Sequence, residues 1–414
     1  MRQRAHRRTA VLGCVGLAVL SVAGVGQGQL ARRGGEFLIN TVTDGDQRGS
    51  RIAVLPDGGF VVVWQSNGNV AARRFDAETR PLGPEFQVNS TTPGRGPAPS
   101  VAAAPDGSML VAWESVTGEP VANGIVAQRF NSRGEPDGPQ FDITEPPFAI
   151  GFEPSVGAVG DQDFLVAWTE KYSYRGRARI VTPSGNGPSF YVADEGNQYD
   201  LASASTGDGS FRVVWYDEPG GQAEMQGRAF RNSEPTSDVF RIDGVSSGFH
   251  DGPAICTLEG DGFVVAWVTY VFDDSGTTRP VTYRQYDATG VPITPLLRAT
   301  PKEAEPQQGR PSLACGPERD FVIAWGEAPG LYSSIFNVRG RVFTPDGPLP
   351  VSDFTIGHRD GGDGDGASVA RLTDGDLLVT WTDCGLPSGC DVFGQRFTFA
   401  GRAPVPATAI GTAT

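Results

Sequence analysis

The 414-residue sequence predicts an all-β fold, a seven-bladed β-propeller with four antiparallel strands per blade, and three observations lead there. Seven Trp residues, Trp64, Trp113, Trp168, Trp215, Trp267, Trp325 and Trp381, each close a five-residue apolar run, at spacings of 49, 55, 47, 52, 58 and 56 residues. A period near 50 with no helical apolar spacing marks a radial β array. The runs, such as Phe263-Val-Val-Ala-Trp267, are apolar on both faces and read as strands covered on both sides. Asp-Gly pairs at Asp57, Asp106, Asp208, Asp261 and Asp374 stand a few residues before these runs, which is hairpin chemistry because such turns need positive φ. The third observation is the 56 Gly and 32 Pro, far above average usage and without a collagen period, as expected of many short strands joined by turns.

The chain begins with an address. Residues 1–28 carry Arg2, Arg4, Arg7 and Arg8, then an apolar run over residues 11–25, then Gly24, Gly26 and Gly28, the order of a secretory signal. The run is too short and too rich in glycine for a membrane span. Arg7-Arg8 offers a twin-arginine reading, and Val11-Leu12-Gly13-Cys14 a lipoprotein reading with Cys14 as the lipidated residue. Residues 35–403 then form the propeller and residues 404–414 a Pro-broken tail.

The second repeat shows the unit best. Residues 99–103 are a first strand, residues 105–107 a turn, residues 109–113 the second strand, residues 124–130 the third, residues 132–134 a turn and residues 140–143 the fourth. The second turn places Gly134, Gly185, Gly290, Gly347 and Gly401 at matching positions, with Thr79 and Glu234 as exceptions. Near the amino terminus, Gly35-Glu-Phe-Leu-Ile-Asn40 reads like Pro84-Glu-Phe-Gln-Val-Asn89, the fourth strand of the first repeat. The amino-terminal strand is therefore expected to supply the outer strand of the last blade and close the ring, removing two exposed edges; the alternative is that residues 407–410 fill that place.

The succession Pro-Ser-Val-Ala, Asp-Gly, Phe-Val-Val-Ala-Trp, Gln-Arg-Phe and Glu-Phe-Gln-Val-Asn resembles the tandem β-propeller repeats of large exported bacterial surface proteins, over residues 35 to about 400. The resemblance implies the propeller fold, export, and a role in adhesion or binding. Members often carry a Gly-Asp-Gly-rich loop between the second and third strands. Here that loop reads Ser66-Asn67-Gly68-Asn69 or Tyr172-Ser173-Tyr174 instead, a departure that bears on calcium binding.

A formal net charge of −14 disfavours nucleic acid, whose phosphates are held by Lys and Arg. Beyond Cys14 the cysteines are Cys256, Cys315, Cys384 and Cys390, an even number that suits an oxidising compartment and two disulfides. Cys256 and Cys315 lie 11 and 10 residues before their Trp in adjacent repeats, an offset that turns the side chains toward one another across two blades. Cys384 and Cys390 flank one hairpin loop.

Two residues beyond each Trp stand Ser66, Ser115, Glu170, Asp217, Thr269, Glu327 and Asp383, where the second strand enters its loop. The four acids Glu170, Asp217, Glu327 and Asp383 would make a broken anionic ring on the loop-bearing face, favouring cationic partners. Tyr172, Tyr174, Tyr216 and Tyr270, with Phe272 and Tyr332, are aromatic platforms suited to sugar or protein recognition. Asp360, Asp363 and Asp365, alternating with glycine, offer hard oxygen ligands for calcium, the one cofactor the sequence suggests, although the distal Glu of an EF-hand is missing. His250 and His358 lie between blades near Asp251 and Asp360, and no nucleophile elbow, zinc-protease or phosphate-loop motif accompanies them.

These features describe an exported, monomeric, non-catalytic binding or adhesion module, extracellular, at the cell surface or in the periplasm, recognising a glycan or a surface protein with its loop-bearing face. The alternatives are a carbohydrate-active hydrolase or lyase using carboxylates on that face, and a structural envelope protein. Two carboxylates about 5–9.5 Å apart in a funnel would mark the enzyme.

Overall fold

The computed structural model describes residues 29–400 except 93, 95, 117–122, 146–149, 207, 219–222, 245–248, 274–275, 302–306, 329–334, 346, 349–353, 361–366 and 387–388. The chain is all-β, built from antiparallel sheets of four principal strands. In the third repeat, Gly151–Ala158, Phe164–Glu170, Gly176–Thr182 and Gly185–Tyr191 pair in chain order. The fifth does the same with His250–Thr257, Phe263–Thr269, Val281–Tyr286 and Leu297–Arg298.

The apolar runs are second strands, as their two-sided hydrophobicity requires, and every Trp is fully buried. Alternate residues of each run serve different cores. Val61 and Val63 pack with Val111 and Trp113 of the next sheet, while Phe60, Val62 and Trp64 pack with Leu378 and Val392 of the last. Each hydrophobic cluster thus joins two consecutive sheets, and one joins the last to the first. First strands follow the same order: Gly45–Val54, Ser100–Ala103, Gly151–Ala158, Gln198–Ser205, His250–Thr257, Ser312–Cys315 and Ser368–Arg371 each touch the next, and the last touches the first.

The turns behave as their chemistry dictates. In the first, Asp57 Oδ1 accepts from the Gly59 amide at 2.9 Å while Gly58 takes φ 86°, a conformation a side chain would strain. Around Asp261 the pattern shifts by one: Gly260 and Asp261 carry the positive φ, at 78° and 62°. At the second turn Thr79 adopts φ 66° in place of glycine, with its amide bonded to the Asp76 carbonyl.

The amino-terminal strand Gln29–Leu38 pairs antiparallel with Gly389–Ala400, outermost on the last sheet. Its end is fastened by Asn40, whose amide donates to Asp391 at 2.6 Å and whose oxygen accepts from the Val392 amide at 2.8 Å. Asn89 does the same for Val70 at 2.7 Å, which explains the repeated Val-Asn at the close of the fourth strand. Arg33 and Arg396 both reach Asp376, at 2.8 and 2.6 Å. Residues 1–28, including Cys14, residues 404–414 with the alternative at 407–410, and Gly401 lie outside the described residues.

Both disulfides form as the spacing predicts. Cys256–Cys315 links the first strands of the fifth and sixth sheets, with Cα atoms 5.7 Å apart, and Cys384–Cys390 staples one hairpin.

Candidate functional site

First strands carry a recurrent β-bulge near their start. The register shifts between Arg48 and Arg51, Phe152 and Ser155, Tyr199 and Ala202, and Asp251 and Ala254. The bulged residues Gly49, Glu153, Asp200 and Gly252 have φ of 64°, 55°, 53° and 56°. Two of them are acids held in a conformation that costs on the order of 1–3 kcal/mol, a pattern that concentrates at functional sites.

The two acidic bulges bring their side chains to one place. A cavity of about 500 Å³ is lined by Phe152, Tyr199, Tyr216, Phe249, Tyr270, His250, Glu153, Asp200, Asp251, Glu218 and Arg310. A second cavity of about 590 Å³ is lined by residues of the first strands, among them Ser100, Ser155, Ser203, Ser312 and Ser368. Glu153, Asp200 and Arg310 line both, so they stand between the two.

Arg310 is the hub. Its guanidinium pairs with Glu153 at 3.4 Å, Asp200 at 3.0 Å and Asp251 at 3.0 Å. Gly252 makes room, since a Cβ there would lie 2.4 Å from Arg310 Cγ. The Glu153 amide donates to Glu114 at 2.7 Å, and burial raises that carboxyl's pKa. Asp251 also receives Arg279 at 3.3 Å.

Burial, reinforced by the hydrogen bond and negative charge of Glu153, pushes the Asp200 carboxyl up to about 7 against the opposing pull of Arg310. Burial and neighbouring Asp200 raise Asp251 as well, again opposed by Arg310. The Tyr216 hydroxyl donates to Glu218, and burial with that carboxylate holds its proton tightly. His250 Nε2 lies 3.0 Å from Asp243, not from the sequence neighbour Asp251, and its ring meets Trp267 edge-on. The arrangement sets a carboxyl able to carry a proton near neutrality beside further carboxylates, with aromatic walls.

None of the four acids two residues beyond a Trp lines this cavity. Glu170 pairs with Arg177 at 2.9 Å, Glu327 with Arg339 at 2.7 Å, Asp217 accepts from the Asn197 amide at 2.9 Å, and Asp383 accepts from the Gly385 amide at 3.0 Å. Each is engaged by a partner on its own sheet or loops. Tyr216 and Tyr270 do line the cavity; Tyr174 sits against Tyr199 at 5.3 Å between ring centroids, and Tyr172 is 75 % exposed. Asp363, Asp365 and Tyr332 lie outside the described residues, and Asp360 is described only as the backbone end of Phe354–Asp360. Among the described residues no group of His, Cys, Asp and Glu is disposed to hold a metal ion.

The residues missed by sequence reasoning share one repeat position, immediately before the Pro-Ser of the first strand or the Leu-Ala or Pro-Ala that replaces it: Ala98, Glu153, Asp200, Gly252 and Arg310. A change from small residues to Glu, Asp and Arg at one register is the signal that could have found them.

The fold has solved counterparts. An ulvan lyase, a polysaccharide lyase bound to a GlcA(1-4)Rha3S unit, superposes with TM-score 0.56 at 8% identity, covering 86% of this chain and 94% of its own. A protein of unknown function from Dyadobacter fermentans gives 0.53 at 12%, covering 89% and 99%. An α-L-arabinofuranosidase from Fusarium graminearum gives 0.51 at 10%, covering 89% and 98%. At these identities the likeness concerns the fold. No protein-family model matches the sequence, nor does any curated protein, so the resemblance to tandem surface repeats rests on the sequence motifs.

Proposed function

We propose that this chain is an exported carbohydrate-active enzyme, a hydrolase of uncharged glycans working in the aromatic cavity at Arg310. Its scaffold is a seven-bladed propeller over residues 35–403, closed by Gln29–Leu38 after removal of residues 1–28 as a signal. The cyclic order of first-strand contacts and the cluster joining last sheet to first support the ring. The two disulfides suit an oxidising, extracellular setting, and no helix among the described residues is long and apolar enough to cross a membrane.

The observation that carries the reading is the carboxyl group of Asp200, with its pKa near 7, beside Glu153 and Asp251 on one guanidinium. Protonated Asp200 gives its proton to the glycosidic oxygen as the bond to the anomeric carbon breaks; a neighbouring carboxylate takes a proton from the attacking water, or attacks the anomeric carbon itself. Such chemistry needs a carboxyl that keeps its proton beside one that has lost it. Four lining acids against one lining arginine repel uronates, which favours hydrolysis of neutral sugars over the lyase reaction named for one structural neighbour.

The test is to incubate the purified protein with neutral and uronate-containing polysaccharides and to follow new reducing ends and ultraviolet absorbance of unsaturated ends. Reducing ends without unsaturation, lost in Asp200→Asn, are expected; unsaturated ends would replace the hydrolase with a lyase. A non-catalytic binding module is the second reading, favoured because all three carboxylates are already engaged by Arg310. Retention of a glycan with no new ends would support it.

A further inference from the structure

The cavity has aromatic side chains on two flanks, and both continue beyond it. On one flank Tyr199 lies between Tyr216 and Tyr174, at centroid distances of 5.9 and 5.3 Å, and Tyr174 is 43 % exposed although outside the lining. On the other, Phe249 meets Tyr270 at 6.4 Å and Phe272 at 6.3 Å, both edge to face. Phe249 and Phe272 are 53 % and 61 % exposed. Phe272 is carried on a two-stranded hairpin, Val271–Asp273 with Gly276–Thr278, which among the described residues pairs with no other sheet. Phenyl rings left in water are unfavourable relative to burial, so an exposed edge-to-face pair continuous with a cavity marks a contact surface.

From this geometry we infer that Tyr174 and Phe272 are the outer ends of a binding track for a glycan chain. The site then takes an internal stretch of an uncharged polymer, with sugar units on each aromatic flank and the cleaved linkage over Asp200, rather than a chain end or a free monosaccharide. Aromatic faces suit the apolar C–H faces of a sugar ring. The carboxylates and Arg310 line the same cavity as Tyr199, Tyr216, Phe249 and Tyr270, which makes the occupant one continuous chain rather than two separate ligands. The inference rests on the glycan reading above and adds the length of the substrate and its mode of binding.

The experiment is calorimetric titration of the Asp200→Asn protein with neutral arabino-, xylo- and cello-oligosaccharides of one to six units, alone and combined with Phe272→Ala or Tyr174→Ala. Within the series that binds, affinity is expected to rise through at least four units. Each aromatic truncation should weaken the hexamer roughly ten-fold and the disaccharide two-fold or less, with Phe272→Trp restoring the hexamer. Phe272 is exposed, so unchanged thermal midpoints separate this loss from misfolding. Affinity that levels off at the disaccharide, or truncations that weaken all lengths equally, would overturn the track while leaving the cavity a glycan site. No binding at any length, together with no cleavage or retention of polysaccharide, would overturn both readings.

Discussion

Replacing Asp200 by Asn should stabilise the protein, and only above a definable pH. An Asp in the unfolded chain has its ordinary pKa of 3.8, whereas burial and Glu153 raise Asp200 to about 7 in the fold. Between those values the folded state holds a proton that the unfolded state has lost, so stability falls as pH rises through the window. A difference of about 3 pKa units at ~1.36 kcal/mol each gives a cost of about 4 kcal/mol, absent near pH 4 and complete above pH 7. Asn copies the protonated carboxyl at every pH and keeps the size of the group, while Arg310 retains Glu153 and Asp251 as partners. Urea unfolding of both proteins in steps from about pH 4 to pH 8 should show curves that coincide at the acid end, with the variant ahead by a few kcal/mol at the alkaline end. A difference that does not change with pH would refute the argument, because it would place Asp200 in water or in a pair strong enough to keep it ionised.

Three further perturbations follow from the same structure. Replacing Cys256 and Cys315 with Ser opens a loop of sequence separation 59 and should cost about 4 kcal/mol, against about 2 kcal/mol for the loop of sequence separation 6 closed by Cys384 and Cys390, read from thermal unfolding. Asn40→Ala leaves the buried Asp391 carboxylate and Val392 amide short of partners and should cost about 1–3 kcal/mol by urea denaturation, where an effect of a few tenths would mean water replaces the side chain. Arg310→Met removes the cation shared by three carboxylates; glycan cleavage should vanish, and the stability loss should be larger at pH 8 than at pH 5, where Asp200 carries its proton.

The scaffold was readable because its determinants are local and repeated. Phe60 to Trp64 is apolar on both faces since consecutive sheets claim alternate residues, and Asp57-Gly58 declares its turn by the φ it needs. The cavity was only half readable. Loop tyrosines such as Tyr216 and Tyr270 announced an aromatic face, but the four acids beyond Trp168, Trp215, Trp325 and Trp381 drew attention to positions engaged by local partners. Glu153 and Asp200 sit instead on bulges of two first strands, and Arg310 stands just before a third, Ser312–Cys315, up to 157 residues away, so where the chain leaves the regular ladder decides that these side chains meet. Such convergence depends on backbone register, which a single apolar pattern does not encode.

The pairing of Gln29–Leu38 with Gly389–Ala400 also sets a timetable. The strand made first must wait for a partner some 350 residues later, roughly 20–70 s at the usual ~5–20 residues per second of synthesis. Joining ends so distant carries a loop-closure term of about 5 kcal/mol at this length, which favours the sheets between them forming before the clasp shuts. Meanwhile the waiting strand is a loose edge, and Arg32, Arg33, Gly34 and Gly35 in its middle make it a poor template for another chain. The residues that fasten the finished molecule, Arg33 on Asp376 above all, thus guard the unfinished one.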